Sequence, residues 1–131
     1  AAVEEGGLLV AHRELVRLSE LDDGLVYLQV TGGAAERDFV YSDDATPTIV
    51  MFTQDKPIAE TIAAQTGIKV ISLPDIRWAR RDIKTVQLLA SSMCKTAAKA
   101  EGKDDAWLVE DGFVTEGTSN NAYIVKGIYF S

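Results

Sequence analysis

DIRWARRDIKTVQLLASSMCKTAAKAEG, residues 75–102, opens as a basic run and closes as a helix. Val86, Leu89, Met93 and Ala97 recur at helical spacing, which predicts a helix over 85–101 stopped by Gly102. Before the run, IKVISLP (68–74) reads as a strand halted by Pro74. After it, AWLVE (106–110), a turn at Asp111-Gly112, FVTEG (113–117) and NAYIVK (121–126) read as hairpin-like strands. Further upstream, LLVAHRELVRLSEL (8–21) has the spacing of an amphipathic helix that ends at Asp22-Asp23-Gly24. LVYLQVT (25–31) and PTIVMFT (47–53) read as strands, with a break at Gly32-Gly33 between them. Asp55-Lys56-Pro57 is a connector and candidate boundary, and 58–67 a short helix closed by Gly67. Mixed helices and strands with hairpins predict an α+β fold.

The 131 residues suffice for one sizeable core and are too few for two full domains. With 47% hydrophobic and 25% charged residues and a mean hydropathy of +0.02, the composition is that of a soluble globular protein. No apolar run reaches the roughly 18 residues a membrane span needs. AAVEEGG at the start carries acids where a signal peptide carries bases, so export is not expected. A single cysteine, Cys94, permits no internal disulfide and points to a reducing cytoplasm. A net charge of −7 argues against a nucleic-acid partner.

His12 is the sole histidine and Cys94 the sole cysteine, so no metal-ligand set and no Ser/His/Asp or Cys/His arrangement is expected. His12 reads as a satisfied helix residue and Cys94 as a small apolar filler. Gly32-Gly33 lacks the spacing of a phosphate loop. Two stretches remain. In 75–84, Arg77, Arg80, Arg81 and Lys84 form the one dense basic cluster, suited to a small anion or equally to a solvated stripe. Most lysines keep their ammonium in water over an apolar stem. A lysine becomes a nucleophile when burial and neighbouring cations favour its neutral form, and these arginines could supply such cations. In 114–121, VTEGTSNN is ordinarily a turn, yet Glu116 sits at its strand end with hydroxyls and amides after it.

Taken together with VYLQVTGGAAERDFVYSDD (26–44), these stretches closely resemble the class IV pyridoxal-phosphate aminotransferases, and within them the D-amino-acid (D-alanine) aminotransferases. The resemblance runs from about residue 8 to 126. It implies the central part of the two-domain fold type IV architecture, with 1–56 in the N-terminal α/β domain and 57–131 beginning the C-terminal cofactor-binding domain. It also implies pyridoxal 5′-phosphate as cofactor, with Lys84 as the Schiff-base lysine and proton shuttle and Glu116 keeping the pyridine nitrogen protonated. Thr118, Ser119, Asn120 and Asn121 are expected beside the cofactor, Arg77 near it or supporting the lysine, and Arg37 on the substrate's α-carboxylate. The implied activity is amino-group exchange between a (D-)amino acid such as D-alanine and a 2-oxo acid such as 2-oxoglutarate, in a homodimer. Branched-chain aminotransferase, aminodeoxychorismate lyase and a catalytically incompetent fragment are the alternatives.

Three departures from the family pattern stand out. The arginine usually found where the strand runs into Gly32-Gly33 is missing. Phe39 stands where the D-amino-acid group has a histidine, two residues after Arg37. Family members are about twice as long, so the chain is expected to be a middle segment that lacks phosphate ligands and binds cofactor weakly by itself.

Overall fold

The structure is a computed structural model describing residues 5–58, 60–127 and 129–130. Two compact units divide the chain, Ala1–Gln65 and Thr66–Ser131. In the first, helix α1 (Glu5–Ser19) precedes strands β1 (Gly24–Thr31) and β2 (Thr48–Asp55), which pair antiparallel from Gly24↔Asp55 to Thr31↔Thr48. α1 both starts and stops earlier than the 8–21 spacing predicts. Its end follows from local chemistry: the Ser19 hydroxyl donates back to the Leu15 carbonyl at 2.7 Å, and Glu20 turns left-handed with φ +49°. His12 is half-buried and its Nδ1 lies 2.8 Å from the Leu8 carbonyl, a partner within its own helix. Tyr27 and Phe52 face each other across the ladder and stack with ring centroids 4.8 Å apart.

α2 (Ile62–Thr66) is shorter than the 58–67 expectation, because Thr61 caps it by accepting the Ala64 N–H at 3.1 Å and Gly67 ends it with φ +75°. The second unit is a β–α–β crossover with a hairpin added. β3 (Val70–Pro74) runs parallel to β4 (Asp105–Glu110), joined through α3 (Leu89–Ala100), and β4 returns antiparallel as β5 (Phe113–Gly117). The turn between them is Asp111-Gly112, with φ +51° and +83°, the pair of positive dihedrals a two-residue hairpin turn requires. Cys94 and Ala98, one helical turn apart on α3, lie on Ala106 and Leu108 of β4, flanked by Ile71 and Leu73 of β3. Small side chains at the contact let the helix approach the sheet closely.

Two expected elements are shorter than the sequence suggests. α3 begins at Leu89, not at 85: the Leu88 N–H bonds the Val86 carbonyl at 2.9 Å and the Gln87 N–H the Thr85 hydroxyl at 3.3 Å, neither of them helical. Lys84 therefore stands on irregular chain, short of the helix rather than at its start. Of 121–126, only β6 (Val125–Lys126) is strand, and it pairs with β7 (Tyr129–Phe130), not with β5. β5 cannot be prolonged, since the chain reverses at once: the Gly117 N–H bonds the Asn120 carbonyl at 3.2 Å.

Candidate active site

The second unit gathers the lysine and glutamate stretches around two buried carboxylates. Asp75 follows the last residue of β3, and its N–H continues the ladder to the Val109 carbonyl at 2.9 Å. Its side chain is closed to solvent. Arg77 grips it with Nε at 3.0 Å and Nη2 at 2.7 Å, and Arg81 Nη1 lies 3.4 Å away. The Thr115 hydroxyl approaches the same carboxylate at 2.7 Å. The Arg77 bonds hold the Asp75 carboxyl far below the usual carboxylate range; burial opposes this, and Thr115 adds to it.

Thr115 owes its position to a β-bulge. Leu108 pairs with Glu116 and Val109 with Val114, leaving Thr115 as the extra residue of β5. The bulge sits directly before Glu116, where it resets which way that side chain faces. The Glu116 carboxylate is half-buried, and the Gly117 N–H lies 3.3 Å from its Oε1. Among the described residues no lysine or arginine forms an ion pair with it.

Beyond Glu116 the chain is pinned by Asp105, 4% exposed at the head of β4. The Thr118 hydroxyl and the Ala106 N–H donate to its Oδ1, and Lys95 Nζ lies 3.1 Å from Oδ2. Lys95 also reaches the Ser119 hydroxyl at 2.9 Å, tying α3 to the turn. Burial pushes the Asp105 carboxyl up, but the bonds from Thr118, Ala106 and Lys95 outweigh it and hold it below the usual range. Gly117 is buried under this turn: a Cβ there would overlap the Asn120 side-chain oxygen and come within 2.9 Å of the Asn120 carbonyl oxygen.

Of the residues the sequence singles out, Lys84, Arg77, Glu116 and Thr118 to Asn121 all belong to this unit, and Arg37 to the first. Lys84 is exposed, and among the described residues no carboxylate pairs with it. Arg37 is exposed too, its guanidinium 5.9 Å from the centre of the Phe39 ring. The Thr118 hydroxyl is committed inward to Asp105, whereas Asn121 donates to the Tyr123 hydroxyl at 3.0 Å. The basic cluster is not the free positive patch its composition suggests. Arg77 is matched by Asp75, Arg80 by Asp82 at 2.7 Å, and Arg81 by Glu110 together with Asp75. Lys84 is the one cation of the four left unmatched. Sequence reasoning missed Asp75, Asp105, Lys95 and Thr115; for Asp75 the available signal was an acid two residues before an arginine at a strand end.

The aminotransferase class IV family model matches residues 2–129. The chain belongs to that family. It is 41% identical over 116 residues to a D-alanine aminotransferase of Bacillus licheniformis, a match covering 87% of this chain and 40% of that protein. It is 34% identical over 128 residues to a D-alanine aminotransferase of Staphylococcus aureus strain MSSA476, covering 95% and 44%. A putative 4-amino-4-deoxychorismate lyase from Legionella pneumophila superposes with a TM-score of 0.78 at 19% identity, over 99% of this chain and 48% of that one. The branched-chain amino acid aminotransferase of Escherichia coli gives 0.74 at 17%, over 99% and 45%. At those identities the likeness is one of fold, the mixed helix–strand arrangement that the chain shares with both. The class IV chain spans less than half the length of each of these relatives. Among its described residues, no helix is long and apolar enough to cross a membrane and no cluster of His, Cys, Asp and Glu is placed to hold a metal ion.

Proposed function

We propose that the protein this chain belongs to is a pyridoxal-phosphate-dependent aminotransferase, moving an amino group between an amino acid such as D-alanine and a 2-oxo acid. The observation that carries the reading is Lys84: exposed and unmatched, beside three arginines that each have a carboxylate, in a chain 41% identical to a D-alanine aminotransferase. The residues fit the cofactor at two points. Lys84 offers an uncommitted amine, and Glu116, a half-buried residue, a carboxylate without an ion-pair partner among the described residues. The arginines are already matched, so the cofactor phosphate is not assigned to them.

When bound, the cofactor supplies an electron sink for the charge that develops at the substrate's α-carbon. Lys84 Nζ would hold the cofactor, and, once the substrate's amine has displaced it, the freed amine would carry the proton to and from the substrate's α-carbon. Glu116 keeps a proton on the ring nitrogen. Its own orientation is fixed on both sides, by the bulge at Thr115 and by the Thr118 hydroxyl on Asp105. Arg37 takes the substrate carboxylate with its planar fork of donors. Residues 1–56 belong in this reading to the N-terminal domain and 57–131 to the start of the cofactor-binding domain, in a cytoplasmic homodimer.

The test treats the intact protein with pyridoxal phosphate and borohydride, then digests it. The peptide containing Lys84 is expected to gain the reduced pyridoxyl mass, and Lys84→Ala to abolish it; labelling that survives the substitution refutes the role. D-alanine with 2-oxoglutarate is expected to yield pyruvate and D-glutamate. A second reading follows from Phe39, which puts an apolar ring beside Arg37 where the D-amino-acid group has a histidine. It favours a larger apolar substrate, and turnover of leucine in place of D-alanine would decide for it.

A further inference from the structure

Asp75 is assigned no contact with cofactor or substrate, yet five donor groups converge on its solvent-closed carboxylate. They are the Arg77 N–H at 3.0 Å, Arg77 Nε at 3.0 Å, Arg77 Nη2 at 2.7 Å, Arg81 Nη1 at 3.4 Å and the Thr115 hydroxyl at 2.7 Å. Arg77 and Arg81 lie on the segment that runs to Lys84. Thr115 is the bulge residue that immediately precedes Glu116. Releasing the arginine side strands a buried charge, and releasing the threonine leaves that charge one donor short, which is costly in a way that releasing a surface pair is not.

We propose that Asp75 is a positioning residue that ties the strand carrying Glu116 to the segment carrying Lys84, through Thr115 on one side and Arg77 and Arg81 on the other. Its charge matters as well as its shape. The Glu116 carboxylate already acts on the Arg77 guanidinium through space. With Asp75 neutralised, the freed guanidinium is left with the attraction of Glu116. Glu116 would then be drawn away from the ring nitrogen it serves. The consequence is a loss in the chemical step rather than in substrate binding.

The catalytic half of this inference rests on the pyridoxal-phosphate reading; the tether does not, and the experiment reads them separately. Asp75→Asn and Thr115→Val are made in the intact protein. Amide hydrogen exchange is followed without cofactor in peptides spanning 76–88 and 113–121. For Asp75→Asn, exchange is expected to quicken in both peptides together by about tenfold or more. In the loaded enzyme kcat is expected to fall about tenfold or more while KM stays within roughly threefold. Exchange that rises in one peptide only, or in neither, overturns the tether. Exchange that rises in both while kcat holds overturns the positioning role. Should Asp75→Asn fail to fold, Thr115→Val keeps both ion pairs and is expected to quicken 113–121 and lower kcat; wild-type values for both refute the proposal. A wild type that forms no borohydride-trapped adduct on Lys84 overturns the cofactor reading and with it the catalytic half, while the exchange comparison still decides the tether.

Discussion

Gly117→Ala is the substitution whose consequence the geometry states most directly. Gly117 has an ordinary φ, so backbone strain is not the issue; the obstacle is space. An alanine Cβ would overlap the Asn120 side-chain oxygen and stand 3.0 Å from its Cγ and 2.9 Å from the Asn120 carbonyl oxygen. The amide can swing aside at small cost, giving up only a 3.5 Å approach to Asp105. The carbonyl cannot move unless the 3.2 Å bond from the Gly117 N–H lengthens with it. Forced overpacking of this kind costs about 1–3 kcal/mol. For a cooperative unit of this size, that corresponds to a fall in Tm of roughly 5–15 °C. Thermal melting of the intact chain by circular dichroism measures it. Gly117→Ala combined with Asn120→Gly removes the amide clash but not the carbonyl one, so it is expected to recover only a small part of the loss. A single variant melting within about 1 °C of wild type, against an expected cost of this order, would show that the turn is not closed on Gly117.

Leu108→Ala removes the one large, fully buried side chain among the described residues and is expected to cost about 2–5 kcal/mol, read as a lower urea midpoint with little change in slope. Asp75 and Asp105 both hold their protons less tightly folded than unfolded. The stability they contribute is therefore present above the ordinary aspartate range, near pH 4, and is lost as pH falls below it. Asp105→Asn is expected to cost about 1–3 kcal/mol at neutral pH and to flatten that acid limb, as measured by urea titrations between pH 7 and 2. Cys94 is 5% exposed, and burial pushes its thiol up, with Asp75 adding to the effect. Its reaction with a disulfide reagent at neutral pH is expected to be at least about a hundredfold slower in the native chain than in denaturant; equal rates would refute its burial.

Local chemistry made the secondary elements legible. The helical spacing from Leu89 to Ala97 and the Asp-Gly pair between two strand-like runs each specify a conformation within a few residues, and α3 and the β4–β5 hairpin formed there. The family likeness was legible in the lysine and EGTSNN stretches, and the match over residues 2–129 agrees with it. Boundaries were less legible, because hydrogen bonds of single side chains set them: Ser19 on Leu15 closes α1, and Thr85 and Val86 delay α3 to Leu89.

What the sequence could not determine was the electrostatics of the lysine segment. Arg77, Arg80 and Arg81 read as a basic patch: Asp75 and Asp82 stand two residues from Arg77 and Arg80, but the sequence does not say that they turn back on them, and the partner of Arg81 is distant. Arg81 meets Glu110 across 29 residues and Asp75 meets Thr115 across 40. Those meetings require β3, β4 and β5 to pair in one register, with a bulge to place the threonine. Short-range conformational preference is encoded in neighbouring side chains, so the sequence alone declared helix, hairpin and family. The pairing of Arg81 with Glu110 and of Asp75 with Thr115 depends on which distant strand the chain returns beside, so only the tertiary structure decided that the three arginines are matched and that Lys84 is left with an unmatched amine.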